Sequence, residues 1–178
     1  MTIHVGGTRS RLISDNFYKM VVGSLEKRGW FDPDQQHAPI ALVRGEISWD
    51  VTIAPNTLAI SDVDITDADV EMGSNLKSDT WTSYVDFYAE SDSLGTDVAG
   101  DVRDILRGKI RSVGRTAPIL EVFDLTVNPD IELAPKIFYC DIENVLLDRA
   151  HNASRPYMEH WFSVRCDIVD TYGDEDDE

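Results

Sequence analysis

The densest group of side chains able to do chemistry is the acidic run Asp62-x-Asp64-x-x-Asp67-x-Asp69-x-Glu71. Carboxylates at such spacing suit a divalent cation, and the comparison to make is a 12-residue calcium loop. Started at Asp62, that loop places Asp67 where the sharp turn needs glycine, and Gly73 where a bidentate glutamate is needed. Both diagnostic positions fail, so the run reads as a solvated acidic segment. His4, His37, His151 and His160 are scattered, with no two spaced as metal ligands. Cys140 and Cys166 fall in strand-like patterns and read as small buried hydrophobes. Gly6-Gly7 lacks the lysine and spacing of a phosphate loop, and no G-x-S-x-G elbow occurs. These residues predict no catalysis, no metal and no cofactor.

The elements that would position them are clearer. Trp81, Ser83, Val85, Phe87 and Ala89 share one face of a period-two pattern, with Thr82, Tyr84, Asp86, Tyr88 and Glu90 on the other. That is a half-buried strand. It passes directly into an amphipathic helix carrying Leu94, Val98, Val102, Ile105 and Leu106. Ser91 or Ser93 can cap its start, and Gly108 suits a left-handed cap at its end. An earlier helix, from Thr8 or Ser10 to about Arg28, has Leu12, Ile13, Phe17, Met20, Val21 and Leu25 as its stripe, and Gly29 ends it.

Further strands are expected over Glu46–Ile53, over Leu58–Ile65, over Ile119–Val127, over Ile137–Leu147 and over Met158–Asp170. In the fourth of these Phe138, Cys140, Ile142 and Leu146 are expected to face one way. Ser61 to Ser78 is polar and loosely patterned, which predicts a long hairpin arm or mobile loop. Short connections between the last strands favour antiparallel pairing. The fold class is therefore α+β: a mostly antiparallel sheet, open to a mixed one, with two α-helices packed on one face and a long hairpin arm. Tyr84, Tyr88 and Trp161 make the other face more apolar than a solvated face needs, so either a partner or a covering loop is expected there.

With 178 residues, one domain over 1–170 and an acidic disordered tail over 171–178 are expected. No apolar run reaches the roughly 18 residues of a membrane span, and MTIHVGGTRSRL has no signal-peptide core. A cytoplasmic start is the expectation. The net charge of −17 argues against neutralising nucleic-acid phosphates. It leaves room for a surface that DNA passes without sticking.

Taken in order, these elements resemble a tail terminator (tail completion) protein of a long-tailed bacteriophage. The resemblance rests on the N-terminal helix LISDNFYKMVVGSLEKRGWF, the strand ISWDVTI, the unit WTSYVDFYAESDSLGTDVAGDVRDILRG and the closing strand HWFSVRCDIVDTYGDE. It implies an α+β subunit without enzymatic activity, in a ring that is typically hexameric and that caps the tail tube and joins it to the head. It also implies as partners other copies of the chain, the major tail tube protein and a head–tail connector, with DNA passing through the lumen unbound and no membrane. The place implied is the virion tail, assembled in the bacterial host cytoplasm. Another neck or head–tail joining ring protein shares this build. A small intracellular enzyme using the acidic run with a divalent metal is the competing class.

A ring needs contacts between two different patches. Arg103, Arg107, Arg111 and Arg115 concentrate positive charge in a chain with only 16 basic residues, and Asp62, Asp64, Asp67 and Asp69 concentrate negative charge. Either the basic end of the second helix receives a neighbour's acidic arm, or its arginines complement the helix C-terminus and local acids.

Overall fold

The computed structural model describes residues 6–34, 39–45, 54–69, 76–108, 119–125, 136–149 and 160–173. Helix α1 covers Gly6–Lys27, and Ile13, Phe17, Val21 and Leu25, four apart, are all buried on its inner face. Gly29, at φ +86°, ends the helix. Its N–H donates to Glu26 O at 2.9 Å and the Trp30 N–H to Leu25 O at 3.1 Å, a Schellman closure that only a left-handed residue allows. Helix α2, Asp92–Arg107, starts at Ser91, whose Oγ accepts the Leu94 N–H at 3.3 Å. It stops at Gly108, φ +66°. Val98, Ala99, Val102 and Leu106 are buried, whereas Ile105 is only partly so.

Six strands form one sheet: β1 Ala41–Arg44, β2 Thr57–Asp69, β3 Leu76–Tyr88, β4 Ile119–Phe123, β5 Lys136–Arg149 and β6 Trp161–Gly173. Their order is β1-β2-β3-β6-β5-β4, with β1 parallel to β2 and every other pair antiparallel. This is an α+β fold with a mixed, mostly antiparallel sheet. Trp81, Val85 and Phe87 on β3 stand opposite Ile168, Val164 and Phe162 on β6, and these form the core with the buried stripes of both helices.

Three expectations change. Ser61–Ser78 is expected as an arm or loop, but β2 and β3 pair as far as Asp69↔Lys77, and β6 flanks β3 as far as Gly173. The described residues of the stretch, 61–69 and 76–78, are strand within the sheet. The domain boundary expected at 170 lies inside β6. Leu146, expected to face inward, is 57% exposed, and Val145 is buried instead. A β-bulge between Glu143 and Leu146 sets two residues against one on β6 and reverses the phase, with Asn144 at φ +50° absorbing the turn. The expected strand Glu46–Ile53 and the tail after Gly173 lie outside the described residues.

The sheet is curled. Laid flat, five strand spacings would part its outermost strands by roughly 24 Å. Yet Asp15 of α1 pairs with Arg44 of β1, and its neighbour Asn16 bonds Phe123 of β4. The sheet wraps until both edges meet the same turn of α1. Asp101 of α2 then ties the helices together, accepting from Arg28 and, at 2.7 Å, from the Trp30 indole.

Candidate functional site

The expected basic cluster is only partly placed. Arg107 donates to Val145 O at 3.0 Å, satisfying a carbonyl at the β5 bulge. Arg103 lies 3.4 Å from Asp104. Arg111 and Arg115 lie outside the described residues. Asp62, Asp64, Asp67 and Asp69 are on β2, three strands from β5 in sheet order. Arg107 is thus engaged by its own chain.

The outer face expected to meet a partner or a covering loop is partly covered within the chain, with Tyr84 and Tyr88 half-buried. Trp161 is buried, 6.4 Å between ring centroids from half-buried Tyr88, and Thr57, Ala59 and Ser61 are buried beside them. Asp167, at the middle of that face, accepts from Thr82 at 3.1 Å and from Asn144 at 2.8 Å.

Exposed apolar surface lies elsewhere. On the outer face of β4 and β5, Ile119, Ile137 and Tyr139 are each about half exposed, and Leu146 lies beyond the bulge. Lys136 Nζ donates to Glu121 at 2.6 Å and to the Tyr139 hydroxyl at 3.1 Å, and stands 4.6 Å from the Tyr139 ring centroid. The bond to Glu121, helped by Tyr139, holds the Lys136 ammonium above the ordinary lysine range. Asp141, opposite Ile119, and Glu143 are exposed on the same face and have no ion pair among the described residues.

At the other edge, Leu42 and Val43 of β1 are exposed. Arg44 follows them, bonded to Asp15 and lying 5.6 Å from the Tyr18 ring centroid. Arg11 approaches the other oxygen of Asp15 at 3.7 Å. Two guanidiniums thus share one carboxylate. Just before β1, Trp30, Phe31, Asp32, Pro33, Pro39 and Ile40 line an open cleft of about 170 Å³, below the roughly 300 Å³ of ordinary ligand pockets.

Other titratable groups serve the fold. Arg9 of α1 makes a two-pronged pair with fully buried Asp170, its second nitrogen at 2.7 Å, and stacks 3.8 Å over Phe138. Burial pulls its pKa down, but the bond and charge of Asp170 outweigh that and raise it. Burial, then the charge of Asp170, pushes the Cys140 thiol well up, which disfavours a nucleophilic thiolate. His160 Nδ1 lies 3.4 Å from Asp92, which also pairs with Arg149. Among the described residues, no three of His, Cys, Asp and Glu are grouped to hold a metal ion.

Sequence reading missed both exposed apolar edges. For β4 and β5 a signal existed: ILEVF and IFYC are apolar on both faces, more than one buried face requires. For β1, four residues are too few for a period. No known family profile matches the chain, and no curated protein is found as a relative.

Proposed function

We propose that this chain is a non-enzymatic structural subunit of a ring, a tail terminator that caps a phage tail tube and meets the head. The observation that carries this reading is the order of elements: a long amphipathic helix, a hairpin whose second strand runs straight into α2, then antiparallel strands closed by β6. The charge of −17 supports it, because an acidic lumen repels phosphates and lets DNA pass. Its partners are further copies of itself, the tube protein and a head–tail connector.

Native mass spectrometry and electron microscopy test the reading. The expected species is an annular particle near six times 20.0 kDa that binds the ends of purified tail tubes. A protein that stays monomeric at high concentration and ignores tube ends would overturn it.

A further inference from the structure

We propose that the outer face of β4 and β5 is one half of a self-association surface, and that the β1 edge of a second copy is the other half. The proposal rests on the ring reading above and names the surfaces that close it. Among the residues whose side chains are described, the exposed large hydrophobics lie on these strands: Leu42 and Val43 on β1, Ile119 on β4, and Ile137, Tyr139 and Leu146 on β5. If a large side chain covers about 200 Å², four half-exposed ones on β4–β5 present roughly 400 Å². That is half of the about 800 Å² each partner gives to a stable interface. A pairing must therefore recruit the polar rim, so the charges of the rim decide which patch meets which.

Among the described residues, the exposed acids without an ion pair on the β4–β5 face include Asp141 and Glu143. Placing this face against its own copy would set those acids against each other, and like charges across an interface are costly. At the Arg44 end of the β1 edge the rim is cationic, because Arg11 and Arg44 share the single carboxylate of Asp15. In a chain of net charge −17, this local excess of positive charge beside Leu42 and Val43 complements the acids beside Ile119 and Tyr139. The two patches differ, so the contact is head-to-tail, and repeating it gives a closed ring or a filament. The arrangement needs neither Arg107, held by Val145, nor a projecting arm.

The test uses two full-length variants. Tyr139→Arg with Asp141→Arg sets positive charge on the β4–β5 face against the arginines of the neighbour. Leu42→Glu with Arg11→Glu spoils the β1 edge. Each variant alone is expected to run at 20.0 kDa, with an unfolding midpoint like that of the wild type. An equimolar mixture, in which each supplies the surface the other lacks, is expected to form one-to-one complexes of at least twice that mass. As an independent measurement, the double variant Leu42→Cys with Tyr139→Cys should give a covalent ladder with a short bismaleimide. Buried Cys140 and Cys166 stay silent, and either single variant should give none. Wild-type assembly that both charge variants retain would discard these surfaces and leave the ring reading standing. Cross-linking of Tyr139→Cys alone would show a symmetric pair and overturn the head-to-tail contact. A wild type that never assembles would overturn both readings together.

Discussion

The side-chain amide of Asn16 pairs with both backbone groups of Phe123, accepting its N–H at 3.1 Å and donating to its carbonyl at 2.9 Å. A helix side chain thus stands in for a neighbouring strand on β4, the last strand of the sheet. It is the link that lets the curled sheet close on α1.

Asn16 is almost fully buried, so Asn16→Ala would strand two polar groups away from water. Each is expected to cost about 1–3 kcal/mol. Urea unfolding should show the loss, and amide exchange should show it concentrated at β4. Equal exchange at β4 in both proteins would mean that Asn16 does not hold this edge.

Gly95 lets α2 lie directly on Phe162. A Cβ added there would sit 2.0 Å from Cε2 and 2.4 Å from Cδ2 of that ring. Gly95→Ala is therefore expected to destabilise by about 1–3 kcal/mol despite the better helix propensity of alanine. Phe162→Leu in the same chain should return part of it. A Gly95→Ala protein with a raised melting temperature would refute the close approach.

Arg9→Met would leave the Asp170 carboxylate buried without its cation, and about 3–5 kcal/mol should be lost. Arg9→Met with Asp170→Leu should recover much of this, since an apolar pair can replace a buried ion pair. If the double variant is no better than the single one, the pair supports something beyond its own charges.

Cys140 carries a pH dependence. Its thiol is raised in the folded protein, so folding favours the protonated form. The stabilisation is complete below the ordinary value of 9.0 and is lost as pH rises beyond it, where only the unfolded chain ionises. Stability measured from pH 8 to 10.5 should fall with a slope that Cys140→Ala removes. Maleimide should modify neither Cys140 nor Cys166 in the folded protein. The two cannot join: Cys140 lies beside Asp170, four residues or roughly 13 Å along β6 from Cys166.

Both helices were legible in sequence because their stripes repeat over more than three turns, and Ser91, Gly29 and Gly108 mark their ends. The β3 and β6 faces were legible for the same reason at a period of two. Three features were not. Ala41–Arg44 is too short for any period. Thr66–Asp69, the far end of β2, pairs through backbone groups that leave no mark on composition. The phase reversal at Asn144-Val145 needs only one extra residue, and Leu146 looks inward until that residue is counted. The exposed edges lay hidden with them, since faces can be assigned only once register is known.

The clasp of α1 on the sheet also bears on how the chain is made. Arg9 finds Asp170 across 161 positions, and Asn16 finds Phe123 across 107. At about 5–20 residues per second, a ribosome needs roughly 8–32 seconds to travel from the first partner to the second. Throughout that interval Ile13, Phe17, Val21 and Leu25 have no finished sheet to cover them. The first helix to emerge is thus the last to be housed, and a nascent chain halted before β6 would present that apolar stripe to chaperones.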